Sequence, residues 1–203
     1  LVPPKAEMIP INIDLSKVKT SMGDYTDGSL GEALGPYLEK IADEMVSRCM
    51  NRKTVIFLPL IATSQAFCEM LKRRGFQASE VNGMSKDRKE KLKGFEDGTY
   101  NCLCNSMLLT EGWDCPSADC IVVLRPTKIR ALYSQMVGRV LRLSPETGKK
   151  DALILDFLWM TTKHDLVKPA ALVAKDSKIA ERMEKMLEEG EALDLVNIEA
   201  QAA

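Results

Sequence analysis

From Val55 onward the chain alternates short apolar runs with stretches of helical spacing, and no other feature restricts its fold as much. Repeated strand, helix, strand is the pattern of βαβ units, which build a parallel sheet. Strands are predicted over residues 55–58, 78–81, 101–106, 120–124 and 152–156, with helices near 64–74, 86–95 and 128–143 between them. Parallel strands covered on both faces read as continuous apolar runs, as Cys120-Ile-Val-Val-Leu124 and Ala152-Leu-Ile-Leu155 do. The expected architecture is α/β, a parallel sheet with helices on both faces.

Residues 9–15 alternate apolar and polar and predict an edge strand, and the Gly- and Asp-rich residues 21–35 predict a loop entering a helix that ends near Met50. Residues 179–187 have helical spacing with many charges, and the closing Glu-Ala-Gln-Ala-Ala is expected to fray. The chain thus divides into a lead-in over 1–50, a central unit over 51–160 and a C-terminal helical extension over 161–203. A start at Leu1 rather than Met suggests a piece of something longer.

With 45% hydrophobic and 28% charged residues, a packed core is expected rather than disorder. No apolar run approaches the roughly 20 residues of a membrane-spanning helix, so a cytoplasmic protein without membrane contact is expected. The formal net charge of -1 neither supports nor excludes nucleic acid, because one-sided basic patches rather than totals attract phosphates. The six cysteines form no C-x-x-C pair, and four lie in or beside apolar strand-like stretches, so they are expected to be buried reduced thiols. With His164 the single histidine, neither a metal site nor a histidine-based triad is expected.

The segment Ile129-Arg-Ala-Leu-Tyr-Ser-Gln-Met-Val-Gly-Arg-Val-Leu-Arg142 carries two stripes. Ile129, Leu132, Tyr133, Met136, Val137, Val140 and Leu141 step by three and one in turn, which makes one buried helical face. Gln135, Arg139 and Arg142 step by four and then three and line a second face directed away from the sheet. Gly138 falls mid-helix in this reading, where glycine costs about 1 kcal/mol against alanine, so a close backbone approach is expected there. On this helix alone, solvated surface arginines are an equally good account.

A second segment changes that balance. Thr110-Glu-Gly-Trp-Asp-Cys-Pro116 follows one predicted strand and precedes the next, which predicts Gly112 and Asp114 at a strand's carboxyl end, where open α/β sheets bind ligands. Trp113 is expected to pack beside Pro116 rather than stack on a base. Together the segments resemble the C-terminal RecA-like domain of superfamily 2 helicases. Val55-Ile-Phe-Leu58 resembles motif IV of that family, Leu109-Thr-Glu-Gly-Trp-Asp114 motif V, and Gln135 to Arg142 motif VI. Asn82-Gly83, Arg88, Phe95 and Gly98 also fall where such domains keep a turn glycine, a basic residue and a Phe-x-x-Gly helix end. The resemblance runs from about Lys53 to Asp156 and is closest to the phage and type III restriction-like DEAD/DEAH branch, whose connector Ile13 to Thr20, with Gly23-Asp24, also resembles.

The resemblance implies a motor domain whose Arg139 and Arg142 act as arginine fingers on ATP and Mg²⁺ held mainly by a preceding RecA-like domain, with Gln135 coupling nucleotide state to closure. It implies Gly112, Asp114 and Gly138 beside the nucleotide, and Thr110, Asn82, Gly83 and Arg88 on a nucleic-acid track, DNA more than RNA. The basic run Lys86, Arg88, Lys89, Lys91 and Lys93 reads first as a solvated helix face, since Asp87 and Glu90 interrupt it. No G-x-x-x-x-G-K-[ST] loop occurs: Gly148-Lys149 lacks the upstream glycine and is followed by Lys150. Asp43-Glu44 reads as a helix surface rather than a magnesium motif. An isolated chain is therefore expected to be inactive as an ATPase.

Two other classes remain. A degenerate RecA-like module binding nucleic acid or protein without ATPase activity would have no reason to keep Gln135, Arg139 and Arg142 together. A Rossmann-type cofactor enzyme would need a G-x-G-x-x-G turn, which the sequence lacks.

Overall fold

The protein, seen in a computed structural model, is described over residues 1–106, 113–158, 167–188 and 192–202. Among these residues the strands are β1 (Pro4–Met8), β2 (Thr20–Ser21), β3 (Asp24–Tyr25), β4 (Thr54–Leu58), β5 (Ala78–Val81), β6 (Cys102–Ser106), β7 (Cys120–Val123), β8 (Ala152–Asp156) and β9 (Leu193–Asp194). The helices are α1 (Asp27–Leu34), α2 (Leu38–Cys49), α3 (Ile61–Arg73), α4 (Arg88–Glu96), α5 (Arg130–Gly138), α6 (Ser177–Leu187) and α7 (Leu195–Ala202). Seven strands form one sheet in the order β5-β6-β4-β7-β8-β1-β9, while β2 and β3 pair as a separate hairpin. All the ladders of the large sheet are parallel except the short antiparallel pairing of β9 with β1.

Alternate residues of each strand feed opposite cores, as strand geometry requires. In β4, Ile56 and Leu58 pack under α1, α2 and α3, while Val55 and Phe57 pack under α4, α5, α6 and α7. A parallel sheet with helices on both faces is therefore what the apolar runs encode. Full burial of a side chain such as Phe57 or Phe67 stabilises by about 1.5–3 kcal/mol.

Helix ends follow local chemistry. Gly75 at φ +93° closes α3 with paired bonds, Phe76 N to Leu71 O and Gly75 N to Lys72 O, an arrangement in which a left-handed residue satisfies the last carbonyls. Asp176 caps α6 by accepting from Ile179 N at 2.9 Å.

The lead-in differs from expectation. The strand predicted over residues 9–15 lies instead at Pro4–Met8, and it is internal, between β8 and β9. Ile9, Ile11, Ile13 and Leu15 are still buried, but Ile11 N and Ile13 N bond to carbonyls two residues back, and Pro10 has no N–H to offer a ladder. Their alternation is a string of tight turns. Residues 21–35, expected as a loop, hold the β2–β3 hairpin and α1. The lead-in and the tail join the central sheet by backbone pairing through β1 and β9.

The helix predicted over 128–143 is shorter and ends at Gly138. Gly138 is thus the last helical residue, and a Cβ built there meets nothing within 4 Å. The expected close backbone approach is absent among the described residues; glycine here ends a helix.

Candidate functional site

Trp113 and Asp114 lie beside the ends of α4 and α5. Trp113 packs its ring against Phe95, in the last turn of α4, at 5.9 Å between centroids, and only 5% of it is exposed. The packed role expected for Trp113 holds, with Phe95 as its aromatic neighbour. Asp114 follows it on the path to β7, so Asp114 sits beside the last turns of α4 and α5. Asp114 is half exposed and pairs with Arg142, four residues past the end of α5.

The two arginines meet this segment. Arg139, the residue after α5, donates from Nη1 to the Trp113 carbonyl at 2.8 Å, and Arg142 pairs through Nη1 with the Asp114 carboxylate. Arg139 keeps helical dihedrals and lies one turn beyond the exposed Gln135, but Arg142 lies outside the helix. The single outward stripe of Gln135, Arg139 and Arg142 is therefore not a stripe of one helix, because Gly138 stops it. Both guanidinium groups engage their own domain instead of extending freely. The side chains of Arg142 and Asp114 remain 42% and 52% exposed, and an ion pair so exposed is worth about 0–1 kcal/mol.

Lys149, dismissed above as a failed phosphate loop, closes the arrangement. Its half-buried ammonium donates to the carbonyls of Pro116 at 2.8 Å, Ala118 at 2.5 Å and Arg142 at 2.9 Å. Burial lowers its pKa, with the Asp119 carboxylate partly offsetting that effect. Lys53 holds the same stretch from the other side, its N–H on Asp119 Oδ1 at 2.9 Å and its ammonium on Ser117 Oγ at 3.0 Å.

At the carboxyl end of β7 a second polar cluster fastens the lead-in. Asp24, 7% exposed, accepts from the Thr127 hydroxyl at 2.8 Å, from Lys128 N at 3.1 Å and from Tyr25 N at 2.9 Å. Arg125 bonds Asp27 through Nε at 3.0 Å and approaches Asp24 at 3.4 Å. Burial raises the Asp24 pKa, but the Lys128, Thr127 and Tyr25 donors, with Arg125, outweigh it and hold the carboxyl below its ordinary value. The Thr127 hydroxyl in turn accepts from Ile129 N at 3.0 Å, one residue before α5. Sequence reasoning noted Gly23-Asp24 without this partner set, since Arg125, Thr127 and Lys128 lie about 100 positions away.

The remaining expected positions separate. Asn82, just past β5, is buried with its amide on both Glu80 oxygens at 3.1 and 3.0 Å; Gly83 is exposed, and Arg88 opens α4 half-buried. These three lie at the carboxyl end of β5, apart from the arginines. Lys91 pairs with Asp87 at 3.1 Å, as a solvated helix face would. Asp43 and Glu44 pair with Arg74 and Arg48 on the surface of α2. Thr110, Gly112 and His164 lie outside the described residues. All six cysteines are buried and unbridged. Among the described residues, no group of three or more His, Cys, Asp or Glu side chains is arranged to hold a metal ion, and no helix is long and apolar enough to cross a membrane.

The two arginine-bearing and Trp113-bearing segments fall within or beside a family match: the model of the helicase conserved C-terminal domain matches residues 37–144, more than half of the chain. The chain belongs to the helicase C-terminal domain family. A 51.5 kDa protein of a Lactococcus phage is 30% identical over 76% of this chain and 34% of its own length. A Saccharomyces cerevisiae protein, IRC3, is 30% identical over 76% of this chain and 23% of its own. The helicase C-terminal domain described here therefore spans about a third or less of these relatives. In fold it is similar to a fragment of an HsdR subunit of a type I restriction enzyme from Vibrio vulnificus YJ016, with a TM-score of 0.59 at 20% identity, covering 77% of this chain and 32% of that one. The C-terminal domain of the DEAD-box protein Dbp5 gives 0.51 at 20% identity, covering 60% and 69%. The expected RecA-like superfamily 2 helicase C-terminal class is what these matches give.

Proposed function

We propose that this helicase C-terminal domain is the second motor domain of an ATP-dependent nucleic-acid helicase or translocase, acting in the cytoplasm, and that it supplies Arg139 and Arg142 to ATP and Mg²⁺ held by a preceding RecA-like domain of the same protein. The observation that carries this reading is the gathering of two guanidinium groups on one short segment, Trp113-Asp114, at the end of α5. Phosphoryl transfer asks a protein mainly for positioning and for cations around the transferring group. Arg142 is held by one exposed carboxylate, that of Asp114, which a triphosphate with more negative charge can replace at small cost. Arg139, tied to a carbonyl, keeps its guanidinium at a fixed height beside it.

On this reading the described residues fit a donor of positive charge to a triphosphate and not its cradle, since the chain has no phosphate-binding loop. Bound ATP and Mg²⁺ supply the transferable phosphoryl group and its charge neutralisation. Gln135 faces the partner domain, and Gly112, Asp114 and Gly138 border the nucleotide. Thr110, Asn82, Gly83 and Arg88 contribute to a track for nucleic acid, DNA before RNA, read through backbone phosphates with strong salt dependence. The lead-in over 1–50 is the connector from the first motor, 51–160 the motor domain, and 161–203 a helical extension. The second reading, a RecA-like binding module without ATPase activity, draws support from the engagement of both arginines within the domain.

ATP turnover of the full-length protein, measured with single-stranded DNA, duplex DNA and RNA, tests the proposal. Turnover stimulated by nucleic acid, with none from this chain alone, is expected. A full-length protein that binds nucleic acid but hydrolyses no ATP would favour the module.

A further inference from the structure

We infer that Lys149 is a positioning residue that sets the place of Arg142, an inference that rests on the proposed role of Arg142 toward the nucleotide. The geometry is a closed ring. The Arg142 guanidinium holds Asp114, two residues before Pro116; the Pro116 carbonyl accepts from Lys149 Nζ at 2.8 Å, and the same ammonium returns to the Arg142 carbonyl at 2.9 Å. The Ala118 carbonyl at 2.5 Å takes the remaining donor. A lysine ammonium has three donors and no acceptor, so all of its capacity is spent on two backbone segments that otherwise lie far apart in sequence.

This matters because Arg142 is outside α5 and gains no fixed position from helical hydrogen bonds. Its backbone is held by Lys149 on one side and, through the preceding Leu141 carbonyl, by Val2 N at 2.8 Å on the other. When the guanidinium leaves Asp114 for a triphosphate, the side-chain arm of the ring opens while the Lys149 arm stays closed. Lys149 then keeps the Arg142 backbone and the Asp114 segment in register through the exchange, so that the guanidinium swings about a fixed base. A misplacement of about 1 Å in such a group lowers turnover by up to about a hundredfold.

The test uses the full-length protein with Lys149→Met, Lys149→Arg, Arg142→Ala and each Lys149 variant paired with Arg142→Ala, reading kcat and KM for ATP under nucleic-acid stimulation. Lys149→Met is expected to lower kcat by about ten- to a hundredfold with KM for ATP unchanged, the signature of a contact that matters only in the transition state. Each pair is expected to be no slower than Arg142→Ala alone. Should Lys149→Met fail to fold, Lys149→Arg serves: it keeps the charge, but a planar guanidinium does not aim donors at three carbonyls around a point, so kcat falls and again does not add to Arg142→Ala. If Arg142→Ala slows turnover while both Lys149 variants run at the parent rate, or their losses multiply with that of Arg142→Ala, the positioning role is overturned. If Arg142→Ala itself leaves turnover unchanged, the failure belongs to the proposed role of Arg142.

Discussion

Arg139 donates to the main-chain carbonyl of Trp113 at 2.8 Å, which fastens the turn after α5 to the segment that leads into β7. Its neighbour Arg142 makes an ion pair open to solvent. The two should therefore differ in what they contribute to stability. Equilibrium urea unfolding is expected to show Arg139→Met destabilised by about 1–3 kcal/mol, from loss of a charge-assisted hydrogen bond, and Arg142→Met by less than about 1 kcal/mol. Equal losses would contradict the distinction between a main-chain tie at Arg139 and a solvent-exposed ion pair at Arg142.

Asp24 should tie stability to pH. Its folded pKa lies below that of an unfolded aspartate, about 3.9, so its contribution is complete above that value and is lost as pH falls through the folded one. Asp24→Asn is expected to cost about 2 kcal/mol at pH 7, with the gap to the parent protein closing below about pH 4. Unfolding curves at pH 7 and in mild acid check both halves. A gap independent of pH would contradict the charged, hydrogen-bonded state of Asp24.

Glycine substitutions should separate two kinds of site. A Cβ at Gly94 would lie 2.7 and 2.9 Å from ring atoms of Tyr100, so Gly94→Ala is expected to destabilise by about 1–3 kcal/mol through overpacking. A Cβ at Gly138 meets open space, and Gly138→Ala is expected to be neutral or stabilising by up to about 1 kcal/mol. Thermal melting of the two variants decides this. A destabilised Gly138→Ala would restore the crowded-backbone reading of that glycine.

The central sheet was legible because parallel strands buried on both faces leave unbroken apolar runs: β5 and β8 fall on the predicted residues, and β4, β6 and β7 differ at one end by a single residue. The lead-in misled because Ile9, Ile11, Ile13 and Leu15 alternate like a strand yet reach burial through two-residue turns, and period alone does not distinguish the two. Of the candidate site, the residue types were readable and the geometry was not. Periodicity placed Arg142 on a helix that Gly138 ends, and it offered no sign that Asp114 would pair with Arg142 or that the Trp113 carbonyl would accept from Arg139. Lys149 was invisible for a further reason: an ammonium serving three carbonyls depends wholly on where distant backbone falls.

The most direct measurement is nucleic-acid-stimulated ATP turnover by the full-length protein carrying Arg139→Ala or Arg142→Ala, with nucleic-acid affinity followed in parallel. The account predicts loss of turnover by about a thousandfold or more in each variant, with affinity similar to the parent. Turnover at the parent rate in both variants would contradict it.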